Sequence, residues 1–314
     1  SSSSSSLAMY YSIRHVTRFR YSAPISESMM EVRMQPRTEG GQRCLSFHLT
    51  TAPRGAVLGY ADALGNAVHY FDIPDRHAEL TLTARALVEV AAPAPLPEAL
   101  DAAAWTELDA LTADDSYWEY LAPSRFARPS PLLSAFAGDL DLRRGGDPLA
   151  MLRGLTSGLH GALEYVPNTT RADSPIDDAL RDRRGVCQDF THIAIALLRE
   201  LGVPCRYVSG YLYHRGGGHD RSSAGATHAW AEALLPGLGW VGFDPTNNLL
   251  VGERHVRVAV GRDYDDVPPT HGVFKGHAHS DLSVAVTVAP SDAPPADGEA
   301  MPSGVWSSSG GGQQ

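Results

Sequence analysis

The sequence predicts an α+β protein, and three observations carry that expectation. Residues 9 to about 90 are rich in β-favouring residues broken by turn signals, a proline-rich stretch follows at 91–97, and beyond it helical leucine spacing gives way to strand-like runs. In the first part, Tyr11, Ile13, His15, Val16, Phe19 and Tyr21 mix with polar residues. Leu45, Phe47 and Leu49 then alternate with Ser46 and His48, Gly65-Asn66 marks a turn, and Val68, Tyr70, Ile73, Leu80, Leu82 and Ala86-Leu87-Val88 complete the pattern. Short strands with turns between them predict a small β-sandwich-like domain over residues 9–92. A stiff linker and a helical segment are expected over 93–145, where Leu100, Trp105, Leu108 and Leu111 fall on a rough stripe.

A second unit is expected over 146–289. Asp147 is placed to cap a helix with Pro148 in its first turn, and Leu149, Leu152, Leu155 and Leu159 recur at helical spacing. A loop over 168–174 precedes a helix over 185–201, which Gly202 and Pro204 end. Strands are expected over 206–214, 227–235, 240–244, 256–260 and 282–288. From Pro290 the chain is Pro, Ser and Gly with few apolar anchors, which predicts a disordered tail over 290–314. The polyserine stretch Ser1–Ala8 reads as a cloning remnant before a native Met9.

Composition excludes several functions. The chain has 314 residues and a net charge of −10, which opposes nonspecific nucleic-acid binding and docking on an anionic membrane. No apolar run approaches the roughly 18–20 residues of a membrane helix, and no export signal opens the chain, so a cytoplasmic location is expected. Hydrophobic residues make up 43%, enough for a folded interior. Three cysteines exclude a disulfide framework, so each thiol needs its own explanation.

Cys187 sits where a loop enters the expected helix, in Arg184-Gly185-Val186-Cys187-Gln188-Asp189-Phe190. The positive end of a helix dipole favours a thiolate, which is the nucleophilic form of cysteine. His228 lies in Thr227-His228-Ala229-Trp230-Ala231-Glu232, where alternation puts His228, Trp230 and Glu232 on one face and the alanines on the other. Asp244 ends the next strand before Pro245. Each has a bland reading alone: a buried cysteine, a half-buried strand histidine, a turn aspartate. Together they form a nucleophile–base–orienter set. If Leu234 faces Trp240, then Trp230 faces Asp244, and His228 and Asp244 become diagonal neighbours on one face. A register one residue off would send Asp244 to the opposite face.

At these residues the chain resembles the transglutaminase-like superfamily. The blocks are Gly185–Phe190, His228–Glu232 and Asp244-Pro245-Thr246, with 41 residues from Cys to His and 16 from His to Asp. Tyr11–Thr17, Met34–Arg37 and Val260–Tyr264 resemble further segments of a bacterial group in which a β domain precedes the core. The resemblance implies a papain-like core, with Cys187 as nucleophile, His228 as general base and acid, and Asp244 holding His228. It implies cysteine-dependent cleavage of an amide bond in a peptide or protein, through a thioester and without cofactor or metal. Acyl transfer to an amine is the first rival, followed by an inactive peptide-binding module and, more distantly, a deglycosylating amidase. The Cys187 backbone N–H is a natural oxyanion donor, and Tyr165 is a candidate for the second.

Weaker signals have structural readings beside them. Asp189 and Glu232 are candidate orienters, although Asp189 also favours a helix start. Arg183 and Arg184 read as solvated charges, Trp230 as packing, and Cys44 and Cys205 as small buried hydrophobes. Gly216-Gly217-Gly218 is a flexible loop that could border the cleft. His271, His277 and His279 lack a recognised zinc spacing, and no calcium loop of EF-hand type is present. The oligomeric state stays open.

Overall fold

A computed structural model describes residues 7–294. Six strands open the chain: β1 (Met9–Ile25), β2 (Glu27–Val32), β3 (Gln42–Ala52), β4 (Val57–Ala61), β5 (Ala67–Ile73) and β6 (His77–Val90). Helices α1 (Ala104–Leu111), α2 (Pro131–Asp139) and α3 (Pro148–Ala162) follow, then the short strand β7 (Glu164–Tyr165), helix α4 (Ile176–Asp182), strand β8 (Arg184–Gly185) and helix α5 (Cys187–Glu200). The chain continues through β9 (Cys205–Leu212), β10 (His228–Leu235), β11 (Gly239–Asp244), β12 (Leu249–Leu250), β13 (His255–Gly261), β14 (Thr270–Lys275) and β15 (Ser280–Ser291). The architecture is α+β: two four-stranded antiparallel sheets, ordered β15-β1-β6-β3 and β14-β2-β5-β4, beside a core built on the sheet β12-β11-β10-β9-β13.

The core is organised around α5, whose residues 189–199 are all buried. It packs against β9 and β10. Ala229, Ala231 and Ala233, all buried, keep the β10 surface low enough for the helix to approach. Arg199 pins the far end of α5. Its guanidinium donates to the carbonyls of Tyr120, Ala122, Cys205 and Arg262, so the buried charge is met by oriented backbone dipoles. At α3 the expected cap is present, with the Asp147 carboxylate accepting from the N–H groups of Leu149 and Ala150.

The end of the chain departs from the sequence reading, which ran the core to residue 289. Instead β14 pairs with β2, and β15 pairs with β1 from Tyr10↔Ser291 to Tyr21↔Ser280. An alternating strand carries no mark of which sheet it joins, and among the described residues β15 and β14 cover the outer edges of β1 and β2. β15 also runs through Pro290, where the tail was expected to begin. The rest of that expected tail, residues 295–314, lies outside the described residues, as do residues 1–6.

The two parts meet at an edge strand. β13 ends the core sheet, and its outward backbone groups are met by carboxamides from the N-terminal domain. Asn66 accepts from the Val260 N–H and donates to the Val260 carbonyl, both at 2.8 Å. Gln42 does the same at Arg257, at 2.7 and 2.8 Å. Each side chain imitates a neighbouring strand, which satisfies and blocks the edge. No helix among the described residues is long and apolar enough to cross a membrane.

Asn66→Ala would leave both buried Val260 groups unpaired. It is expected to lower the unfolding free energy by about 1–3 kcal/mol, measured by urea denaturation; an unchanged midpoint would show that the edge is satisfied without Asn66.

Candidate active site

Cys187 is the first residue of α5, directly after the β8 residues Arg184-Gly185 and Val186. Gly185 is required here because a Cβ would stand 2.6 Å from Asp189 Oδ2 and 2.9 Å from Asp189 Cβ. The space belongs to the Asp189 carboxylate, which folds back to accept from the Val186 N–H at 2.9 Å and from the Thr170 hydroxyl at 2.5 Å. Burial pushes the Asp189 carboxyl above its usual range against those two hydrogen bonds. Asp189 therefore fixes the helix start and ties the 168–174 loop beside it. Gln188 adds a second tie by donating to the Ala172 carbonyl.

The β10–β11 register decides the rest. Leu234 pairs with Trp240, and pairing continues to Leu235↔Gly239, leaving Pro236–Leu238 as the turn. His228 and Asp244 consequently meet, with Nε2 2.7 Å from Oδ2. Both side chains are buried. His228 Nδ1 has no hydrogen-bond partner among the described residues, so it is the nitrogen left for the Cys187 sulfur. Burial would lower the His228 pKa, but the Asp244 charge and hydrogen bond, with a contribution from Cys187, raise it to about 10. Burial would raise the Asp244 carboxyl, yet the two histidines beside it hold it well below the usual carboxylate range.

The second of those histidines is His255, which sequence reasoning missed. Its Nε2 lies 3.0 Å from the same Asp244 Oδ2. Asn247 adds its side-chain amide to Oδ2 at 3.1 Å and its backbone N–H to Oδ1 at 3.2 Å. His255 belongs to β13, two strands away from β10, and reaches Asp244 because Gly210 lies between them. A Cβ at Gly210 would stand 2.7 Å from the edge of the Trp230 indole, and the His255 ring packs on that indole at 4.9 Å between centroids. Burial lowers the His255 pKa, keeping it neutral with its proton on Nε2 facing Asp244. His228, Asp244 and His255 are also close enough to resemble a metal site. However, both Nε2 atoms sit at hydrogen-bond distance from one carboxylate oxygen, a geometry made by shared protons.

Cys187 and His228 open on one cavity of about 210 Å³. Tyr207 and Tyr264 line it from the core, and His15 and Thr17 line it from β1, so the N-terminal domain forms one wall. Burial first, then nearby Cys187, pushes the Tyr207 phenol well above its usual range, so it stays a hydrogen-bond donor. Burial lowers His15 to about 4, so it is neutral, held by the Tyr211 hydroxyl at 2.7 Å. Tyr165, the sequence candidate for an oxyanion donor, instead faces a separate cavity with Arg183 and Arg221. No local signal distinguished Tyr165 from Tyr207; their placement depends on which strand packs under α5.

Other candidates fall away from the site. Glu232 is held by Arg206 at 2.7 Å and Arg257 at 3.2 Å. Arg183 pairs with Asp139 at 2.6 Å and covers Phe136. Trp230 is fully buried packing under His228 and His255. Burial pushes the thiols of Cys44 and Cys205 up to about 12, in keeping with inert small hydrophobes.

Comparison with known proteins follows this division. Residues 11–89 match the family described as the bacterial transglutaminase-like N-terminal region, and residues 140–245 match the transglutaminase-like superfamily. An uncharacterized protein of Mycobacterium leprae is 34% identical over 275 residues, covering 87% of this chain and 96% of that one. A protein-glutamine gamma-glutamyltransferase of Pseudomonas aeruginosa is 37% identical over 89 residues, 26% of this chain and 12% of that protein. A crystal structure of a proposed cysteine protease from Cytophaga hutchinsonii shares the fold, with a TM-score of 0.73 at 22% identity over 92% of this chain and 93% of that one.

His255→Leu removes a donor from Asp244 and leaves more of its charge for His228. The His228 titration, followed by NMR of the ring, is expected to move to higher pH, and His255→Gln, which retains a donor, is expected to restore it. A titration unmoved in the leucine variant would show that His255 does not act on Asp244.

Proposed function

We propose that this chain, which belongs to the transglutaminase-like superfamily, is a cysteine-dependent amide hydrolase acting on a peptide or protein substrate. One observation carries the reading: the His228–Asp244 bond uses Nε2 and leaves Nδ1 toward a cysteine at a helix start, inside one cavity. An imidazolium beside sulfur favours the thiolate. Cys187 Sγ attacks the substrate carbonyl carbon, and the carbonyl oxygen takes the negative charge. The Cys187 N–H, in the first helical turn where no intrahelical acceptor exists, and the Tyr207 hydroxyl supply donors to it. As the tetrahedral adduct collapses, the C–N bond breaks and His228 gives its proton to the leaving amine, producing a thioester. Water then attacks the thioester carbon while His228 takes a proton, and the C–S bond breaks, releasing the carboxylic acid and returning the Cys187 thiolate beside protonated His228. Asp244 keeps the His228 ring oriented throughout. No step needs a metal or cofactor.

The cavity adjoins, through Tyr264 and Thr270, a cleft of about 960 Å³ whose lining includes the charged residues Glu31, Arg33 and Asp62, which gives water a route toward a thioester on Cys187. Acyl transfer to an amine is the second reading, favoured by the stretch shared with the Pseudomonas glutamyltransferase.

Incubation of the protein and its Cys187→Ala variant with a peptide library, with and without an amine donor, separates the readings by mass spectrometry. Cleavage that the variant loses is expected. Amine incorporation would identify a transferase, and identical blanks from both proteins would leave a peptide-binding module. Because the proposed acid is protonated His228, activity is expected to persist through neutral pH and to fall as pH approaches about 10. A profile whose alkaline limb falls near the ordinary histidine value, roughly 6.5, would overturn the Asp244-supported imidazolium.

A further inference from the structure

We propose that the outer edge of β15 is a docking strand for the backbone of an extended peptide substrate, which adds to the sheet beside Leu282 and Val284 and so passes across Cys187. The proposal rests on the amide-hydrolase reading and adds a substrate class to it: an unfolded, extended segment held by main-chain hydrogen bonds, with apolar side chains near the reacting carbonyl.

Among the described residues β15 is the outermost strand of its sheet and pairs only with β1. Its outward hydrogen-bonding direction is marked by Val286, whose N–H donates to the Gly225 carbonyl at 3.0 Å, in the loop that leads into His228. Backbone groups alternate between the two edges of a strand, and the β1–β15 register runs without a bulge. The N–H and C=O groups of Val284 and Leu282 therefore point to the same outer edge as Val286, and among the described residues no backbone partner meets them there. An open edge of this kind is a template for another strand.

The side chains agree with the backbone. Leu282 pairs with Phe19 and Val284 with Thr17, so they share the face on which Thr17 lines the Cys187–His228 cavity. Both line that cavity themselves, yet they are 54% and 42% exposed, large apolar groups at the mouth of a reactive site. An edge strand left open is ordinarily guarded by lysine or proline. Here the open stretch borders the proposed nucleophile instead, which is where a substrate backbone must lie. A second copy of this chain pairing through the same edge is the competing occupant.

The test uses a peptide that the protein cleaves, resynthesised with single backbone N-methyl groups along its length. N-methylation at one or two alternate positions on one side of the scissile bond is expected to lower kcat/KM at least tenfold, with the intervening positions changing less than threefold. Val284→Pro, which removes an outward N–H without touching the β1 ladder, is expected to lower the ratio of peptide to small-ester kcat/KM at least tenfold. A flat N-methyl scan on a cleaved peptide would overturn the docking strand while leaving the hydrolase reading intact. Absence of all Cys187-dependent cleavage would overturn the hydrolase reading itself, and the substrate class with it. A dimer in analytical ultracentrifugation that Val284→Pro dissociates, with the peptide-to-ester ratio unchanged, would assign the edge to a second copy and overturn the proposal.

Discussion

The buried carboxylate of Asp244 is the constraint around which the site is arranged. A charge with no exposure to water needs several donors, or the chain would keep it protonated or exclude it. Asp244 receives them from three places: His228 on β10, His255 on β13, and Asn247 in the segment after β11. Satisfying one side chain therefore fixes the relative positions of both sides of the sheet and of the loop that links them. It also decides the tautomers. His228 and His255 each direct Nε2 to the carboxylate, and only the His228 ring then presents Nδ1 beside a thiol. The low carboxyl pKa and the raised His228 pKa are two views of that arrangement.

The N-terminal domain is part of this arrangement rather than an attachment to it. Gln42 and Asn66 satisfy the outer edge of β13, the strand that carries His255. His15 and Thr17 supply a wall of the cavity that holds Cys187. The chain also closes on itself: after completing the core it returns through β14 and β15 to finish the sheets with which it began. The wall of the cavity thus combines β1 with β15, and the core in isolation would open its site to solvent and leave the outer edge of β13 unsatisfied at Arg257 and Val260.

Much of this was legible in the amino-acid order, for physical reasons that are local. Gly185 before Cys187, the apolar run through Ile193 to Leu201, and Gly202 mark a helix and its start without reference to anything distant. The alternation of His228, Trp230 and Glu232, with a turn region at Pro236–Gly239, offered a register in which Leu234 faces Trp240 and Asp244 lies beside His228, and the strands adopt that register. Glu232 shows the limit of such reasoning. It shares the His228 face, yet Arg206 and Arg257 claim it, and one of those arginines belongs to a strand added much later in the chain.

The sequence by itself determined the fold class and the helix that carries Cys187, because period and caps act over a few residues, and it narrowed the β10–β11 hairpin to a register that brings Asp244 to His228 or one that turns it to the opposite face. Tertiary structure alone decided that His255 shares Asp244, that Tyr207 rather than Tyr165 faces the thiol, and that β14 and β15 return to the first domain. Those outcomes depend on which strands become neighbours. Neighbour choice is made by burying faces and satisfying edges across the whole molecule, and an alternating run of apolar and polar residues is compatible with several partners.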